Sequence, residues 1–123
     1  MAERISEGEQ AVMEVLWADS PLTAAEVAER IPHERDWSER TVKTMLGRLL
    51  AKGALVHEED GRRYLYRPAV ARADYAMRET RKLVDRLFGG RAAPLVAQLA
   101  ATSEGLSEQD IAELEALLKD LRS

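Results

Sequence analysis

Basic and hydroxyl-bearing side chains are spaced along residues 40–48 so that they share one face of a helix. At about 100° of rotation per residue, Arg40, Thr44 and Arg48 lie on the side opposite Val42. A guanidinium group can hydrogen-bond guanine through two N–H groups, and a threonine can hydrogen-bond a base while its methyl group contacts a thymine methyl. These residue types therefore indicate contacts to base edges in the major groove of duplex DNA.

The face opposite these polar side chains is an apolar stripe. Its members are Val42, Met45, Leu46 and Leu49. They follow the spacing i, i+3, i+4, i+7, which is typical of a helix that packs one side on a core. Ser38 can cap the start of this helix, and Lys52-Gly53 can end it with a cation and a residue that tolerates positive φ. The pattern predicts a helix over 39–52.

Positive charge is concentrated around this helix. Residues 40–67 hold seven basic and three acidic side chains, a net charge of +4, although the whole chain carries −4. Separated charge on one face matters more for binding a polyanion than the sum does. The predicted DNA contacts from these residues are Arg40, Thr41, Lys43, Thr44, Arg48, Arg62 and Arg63. Because such cations displace counterions from phosphates, affinity should fall steeply with salt.

Three further helix starts carry a hydroxyl followed three residues later by a carboxylate, the signature of a capping box. The pairs are Ser6 and Glu9, Thr23 and Glu26, and Ser107 and Asp110, and they predict helices over 7–18, 24–31 and 108–121. Helical apolar spacing predicts two more helices, at about 72–88 and 92–101.

Residues 54–68 change to a strand-like pattern with Asp60-Gly61 in the middle. Asp-Gly between two such runs predicts a two-residue β-hairpin turn. This register would place Glu59 opposite Arg62 and Glu58 opposite Arg63, two favourable pairs of opposite charge.

Together these elements predict a mainly α fold with a small β-hairpin. Residues 1–70 form a winged helix-turn-helix domain, and residues 71–123 form a three-helix region. Because such a short helical region buries little surface by itself, we expect it to pack against its copy in a homodimer. The predicted dimerisation residues are Leu83, Leu87, Leu95, Leu99, Ile111, Leu114, Leu118 and Leu121.

The composition disfavours enzymes and metal proteins. The chain has no cysteine and two histidines, and it contains neither a glycine-rich phosphate loop nor a Gly-x-Ser-x-Gly elbow. We therefore expect no catalytic activity, no cofactor and no metal. No apolar run approaches the roughly 20 residues that a membrane span needs, so a cytoplasmic protein is the default expectation.

Two alternatives stay open from the residues alone. A cationic helix face is also typical of a solvated surface, and Arg62 and Arg63 can pair with the glutamates of the hairpin, in exposed pairs worth only about 0–1 kcal/mol. A winged helix can also be a protein-interaction module whose basic hairpin binds an acidic partner.

The run from Asp36 to Leu49, DWSERTVKTMLGRL, resembles the recognition region of the BlaI/MecI penicillinase-repressor family, Asp-Trp-Ser-x-Lys-Thr-Ile-Arg-Thr-Leu-Ile-Thr-Arg-Leu. Gly47 stands where threonine is commoner in the family. Further similar pieces are Glu9 to Trp17, Tyr64-Leu65-Tyr66 and Leu87-Phe88-Gly89-Gly90.

This resemblance implies a homodimeric winged-helix repressor of beta-lactam resistance or related genes. Its operators would be inverted repeats with TACA/TGTA-like half-sites, and Ser38 would join the DNA contacts. The resemblance also implies relief by proteolysis, with a membrane sensor-protease, or the protease that it activates, as partner. The family's Asn-Phe cleavage site falls on Gln98 and Leu99 here.

Overall fold

A computed structural model describes residues 4–123. Residues 1–3, which the predicted N-terminal domain includes, lie outside the described residues. The elements are α1 (Glu7–Ala18), α2 (Ala24–Arg30), a 3-10 turn (His33–Arg35), α3 (Glu39–Ala51), β1 (Leu55–Asp60), β2 (Arg63–Pro68), α4 (Arg72–Leu87), α5 (Ala92–Ala100) and α6 (Glu108–Arg122). The prediction of a mainly α fold with a small β-hairpin is confirmed.

The predicted capping boxes begin three of the helices. In α1, the N–H of Glu9 donates to the hydroxyl of Ser6 at 3.1 Å, and the carboxylate of Glu9 accepts from the N–H of Ser6 at 3.4 Å. The same reciprocal pair begins α2 and α6. Because each box satisfies N–H groups that a helix leaves without partners, it fixes where the helix starts.

The register predicted for the hairpin is wrong. Asp60 pairs with Arg63 and Glu59 with Tyr64, so the two-residue loop is Gly61-Arg62 rather than Asp60-Gly61. Gly61 has φ of +68°, whereas Arg62 does not have a positive φ. A loop with positive φ only at its first residue is a type II′ turn, and that position strongly favours glycine.

The core of the first half lies between α1, α2 and α3. Its fully covered side chains are Val12, Met13, Leu16, Val27, Val42, Leu46 and Leu49, each with 0% relative exposure. The hairpin is joined to this core through β2, because Tyr66 and Leu22 exchange two backbone hydrogen bonds of 2.8 and 3.1 Å. The hairpin, which is the wing of the predicted winged helix-turn-helix, is therefore anchored on the loop between α1 and α2.

The chain divides into two compact units between Tyr75 and Ala76, inside α4. Tyr75 belongs with the first unit, where its ring lies 5.3 Å from the ring of Trp17. The domain boundary after residue 70 stays a prediction. Within residues 76–123, Val84 is the only side chain that is buried, so this unit has no closed core of its own.

Candidate nucleic-acid interface

Helix α3 presents one face to the core and the other to solvent. Ser38 caps its start by accepting from the N–H of Thr41 at 3.1 Å, and Gly53 follows its end with φ of +77°. Val42, Leu46 and Leu49 are fully buried. This burial fixes the rotation of the helix about its axis, so the opposite face must point outward.

The structure brings most of the predicted contact residues to that outward face. Arg40, Lys43, Thr44 and Arg48 are exposed, Thr41 is half-buried, and Ser38 is exposed at the start of the helix. The hydroxyl of Thr44 donates to the carbonyl of Arg40 at 3.1 Å. Thr44 therefore offers a partner its oxygen lone pairs and its methyl group rather than its proton.

A groove of about 480 Å³ is lined by α3, the hairpin and the start of α2. Lys43 lines one side, and Arg62 and Arg63 line the other, so residues about 20 positions apart in sequence meet here. Glu39 also lines the groove, although the sequence analysis did not assign it to this surface. Its carboxylate would repel a phosphate at this point, so a bound phosphate would lie closer to Lys43, Arg62 and Arg63.

Ion pairing separates the cations of this surface into two groups. Arg63 pairs with Asp60 at 3.1 Å, and Arg67 pairs with Glu58 at 3.6 Å. These pairs replace the predicted ones, because the register is shifted. Within residues 4–123, four cations of this surface form no ion pair; they are Arg40, Lys43, Arg48 and Arg62. The open alternative of pairing within the hairpin thus applies to Arg63 but not to Arg62.

Three aromatic side chains of the hairpin form a cluster that the sequence analysis missed. The rings of His57 and Tyr64 are stacked with centroids 4.6 Å apart, and the ring of Tyr66 lies 5.7 Å from His57. Burial raises the pKa of Tyr66 above its ordinary value. The signal was present in the sequence, since His57, Tyr64 and Tyr66 share one face of the hairpin in the predicted as well as in the observed register.

The segment before α3 is held by Trp37. A Cβ added at Gly8 would lie 3.3 Å from Cη2 of the Trp37 ring, so glycine makes room for the indole on α1. The guanidinium of Arg35 lies 5.0 Å from the ring centroid, within cation–π distance. Asp36, between these residues, has a left-handed φ of 48° and turns the chain towards the cap at Ser38.

Comparison with known proteins then decides the family. The family model described as penicillinase repressor matches residues 5–120. The chain belongs to the penicillinase repressor family. A penicillinase repressor of Bacillus licheniformis is 32% identical over 117 residues, which cover 95% of this chain and 91% of the relative.

Other relatives and solved structures agree with this membership. The methicillin resistance regulatory protein MecI of Mammaliicoccus sciuri is 29% identical over 114 residues, covering 93% of this chain and 92% of the relative. The solution structure of the DNA binding domain of the repressor BlaI matches with a TM-score of 0.53 and 39% identity, over 61% of this chain and 94% of that one. BlaI of Bacillus licheniformis, solved as a monomeric form in complex with the blaP half-operator, matches with a TM-score of 0.51 and 39% identity, over 61% of this chain and 92% of that one.

In this family member, the predicted dimerisation side chains are largely uncovered in the single chain. Exposed members are Leu87 (59%), Leu99 (48%), Ile111 (43%), Leu118 (57%) and Leu121 (74%), and Leu83, Leu95 and Leu114 are partly buried. The two residues at the predicted cleavage position, Gln98 and Leu99, are exposed near the end of α5. Their carbonyl groups accept hydrogen bonds of 3.2 and 3.3 Å from the backbone of Ala101 and Thr102.

Residues 4–123 contain neither a metal site nor a membrane-spanning helix. No group of three histidine or acidic side chains within residues 4–123 is arranged to hold a metal ion. In the same part of the chain, no helix combines the length and apolar character that crossing a membrane requires.

Proposed function

We propose that this chain is a homodimeric transcriptional repressor that acts in the cytoplasm and binds inverted-repeat operator DNA through the outer face of α3 and the hairpin. The observation that carries the proposal is the unpaired positive charge on this surface. Arg40, Lys43, Arg48 and Arg62 are exposed without ion-pair partners in residues 4–123. Leaving these cations unpaired while Val42, Leu46 and Leu49 are fully buried suits a helix that binds phosphates and base edges.

The proposed roles follow from side-chain chemistry. Arg40 and Arg48 contact guanine edges, while Thr41 and Thr44 contact bases through an oxygen or a methyl group. The phosphate contacts are assigned to Ser38, Lys43, Arg62 and Arg63. Lys43, Arg62 and Arg63 line the groove of about 480 Å³, where one strand of the backbone would lie between the helix and the wing.

The proposed homodimer would cover the leucine-rich faces of the C-terminal unit. Leu118 and Leu121 are 57% and 74% exposed, and burial of apolar area of this kind is worth about 25 cal/mol per Å². Charge favours a second copy as the occupant, because α4 carries a net charge of +2 and α6 a net charge of −3. Two copies would place two α3 helices, the proposed reading helices that contact base edges, on two half-sites.

Membership of the family also supports regulation by proteolysis near Gln98 and Leu99, with a sensor-protease or the protease that it activates as the partner. A protease binds its substrate in an extended form, so the last turn of α5 would have to open first. The hydrogen bonds of 3.2 and 3.3 Å that end this helix are the ones that would break.

The test is a binding titration in which fluorescence anisotropy measures DNA binding. The probe is a duplex with two inverted TACA/TGTA half-sites, and the control is a scrambled duplex of the same composition. We expect the inverted repeat to bind about 10³-fold or more tightly at moderate salt. Equal affinity for both duplexes would reject the proposal, and displacement of both by an acidic protein would favour the interaction-module alternative.

A further inference from the structure

Two long side chains, one from each end of α3, converge on the first turn of α1. Lys52, directly after the last residue of α3, places its Nζ 2.7 Å from Oε1 of Glu9 and 2.8 Å from the carbonyl oxygen of Arg4. Trp37, directly before the cap of α3, lies against Gly8. Consecutive residues of α1, Gly8 and Glu9, therefore contact both ends of the proposed reading helix.

The contact at the C-terminal end of α3 is a buried ion pair. Glu9 is 2% exposed, and its second oxygen, Oε2, is buried without a hydrogen-bond partner in the described residues. The side chain of Lys52 is 15% exposed, so little water reaches the pair. Removal of one partner would leave the other charge with little solvent and one remaining hydrogen bond, from Lys52 to the carbonyl of Arg4 or from Ser6 to Glu9, so the intact pair favours one geometry.

The contact at the N-terminal end of α3 depends on shape. At Gly8 an added Cβ would lie 3.3 Å from the ring of Trp37 and 3.4 Å from the terminal methyl of Met45. Both neighbours belong to α3 or to the residues just before it. A side chain at position 8 would therefore crowd the ring of Trp37 by a few tenths of an ångström and touch Met45, so the close fit of the indole depends on glycine here.

We propose that Glu9 and Lys52, with Gly8 and Trp37, are positioning residues for operator recognition, which act by fixing the tilt of α3 although they do not themselves contact DNA. This inference rests on the proposed function. With about 1.5 Å of rise per residue, α3 is about 20 Å long, so a tilt of about 10° moves one end by about 3 Å. Base-edge hydrogen bonds do not tolerate such a shift, because their geometry must hold to about 0.5 Å.

Contacts to phosphates respond differently to a tilt. They depend mainly on the number of cations near the backbone, and long side chains can follow a displaced phosphate. Loss of the Glu9–Lys52 pair should therefore lower the preference for operator over scrambled DNA more than it lowers binding to DNA in general.

Two variants that change the net charge in opposite directions distinguish an effect of helix position on DNA binding from an effect of charge. Glu9→Gln removes an anion, which by charge alone would strengthen DNA binding, and Lys52→Met removes a cation, which would weaken it. A tilt of α3 instead lowers the specificity ratio in both variants. Lys52→Arg keeps a charged donor at the same position and serves as the conservative rescue.

The experiment measures affinity of the full chain for the inverted-repeat and scrambled duplexes, with folding checked by circular dichroism. We expect Glu9→Gln and Lys52→Met each to lower the specificity ratio roughly three- to thirty-fold, and Lys52→Arg to preserve it within about twofold. The double variant should lose less than the product of the single losses, because both changes break one contact.

An unchanged ratio in folded Glu9→Gln and Lys52→Met, or shifts in opposite directions that follow charge, would overturn the inference. If either variant does not fold, Trp37→Leu, which removes the indole from Gly8, tests the other contact, and an unchanged ratio in that variant counts against the inference in the same way. Failure of the proposed function is a distinct result, since the unaltered chain would then show no preference for the inverted repeat.

Discussion

Arg63 and Asp60 form an ion pair across the turn of the hairpin, with Nη2 of the arginine 3.1 Å from Oδ2 of the aspartate. The Nε–H of Arg63 donates to the same oxygen at 3.2 Å. Arg62, the neighbouring residue, lies in the turn and has no ion pair within residues 4–123. Two adjacent arginines thus differ in whether a phosphate must compete with a carboxylate of the protein.

This difference leads to a prediction for Asp60→Asn. We expect the substitution to remove the carboxylate that competes with phosphate for Arg63, to raise DNA affinity, and to steepen the plot of log affinity against log salt by at most about 0.9, the effect of one full phosphate contact. Its cost in folding stability should stay within about 1 kcal/mol, because the pair is exposed. Asp19→Asn is the matched control, since it frees Arg30 from a similar exposed pair of 3.3 Å beside α1. A salt slope that changes equally in both variants would show that only net charge matters.

Arg48 and Lys43 should differ in what their loss does to recognition. Arg48→Ala should cost about 1–3 kcal/mol on the operator and relax base preference at one position, because a bidentate contact is lost. Lys43→Ala should weaken binding to all duplexes alike and lower the salt slope by about 0.9. Anisotropy titrations on duplexes with single base changes measure both effects. Unchanged operator affinity in Arg48→Ala would remove Arg48 from the reading face.

Gly47→Ala should separate folding stability from DNA binding. No atom lies within 4 Å of a Cβ built at Gly47, and the residue is in the interior of an exposed helix face. Alanine should therefore raise the free energy of unfolding by up to about 1 kcal/mol, because glycine is a poorer helix former. If the backbone approaches DNA closely here, operator affinity should fall in the same variant. Urea denaturation measures the change in folding stability, and fluorescence anisotropy measures the change in operator affinity. A more stable variant with full affinity would contradict a close approach of the backbone to DNA.

The leucine face of α6 should control self-association. Leu118→Asp should dissociate the proposed dimer, because the 57% exposed side chain would be replaced by a charge at the proposed apolar interface. Ala116→Asp adds the same charge about half a turn away, on the side of α6 that carries Glu113 and Asp120, and should leave the proposed dimer intact. Sedimentation velocity distinguishes the two, and a Leu118→Asp dimer as stable as the unaltered one would exclude this face.

Folding stability should fall in acid because of Glu9. Burial raises the pKa of its carboxyl, but the hydrogen bonds from Lys52 and Ser6 lower it by more, so the pKa lies below the ordinary value of 4.5. A carboxyl with a lowered pKa in the folded state stabilises the fold above its unfolded pKa, and this contribution disappears as pH falls through the folded pKa. We expect the free energy of unfolding to decrease below pH 4.5, and to decrease less in Glu9→Gln. Urea denaturation over this pH range measures the difference, and identical pH curves for both chains would contradict it.

The helices could be read closely from the sequence, because their signals are local. Each capping box involves residues three positions apart, and the stripe of Val42, Leu46 and Leu49 repeats within about two turns. Both predicted ends of α1 and the predicted start of α3 agree with the structure, and the predicted end of α3 lies one residue too far.

The hairpin register could not be read in the same way. The predicted and observed pairings differ by two residues along β2, and such a shift leaves every side chain on the same face. The alternation of apolar and polar residues therefore does not distinguish the two registers. The turn chemistry decides it, since Gly61 occupies the one loop position that has positive φ.

By itself the sequence determined the helices, the presence of the wing, the cationic face of α3 and the resemblance to a repressor family, because these follow from neighbouring residues. Only the tertiary structure decided which arginines are paired and what holds the proposed reading helix, α3, in place. Within residues 4–123, Arg63 forms an ion pair and Arg62 does not, and Glu9 reaches Lys52 across 43 positions of sequence. Such contacts depend on where the chain returns in space, which no periodicity along the sequence encodes.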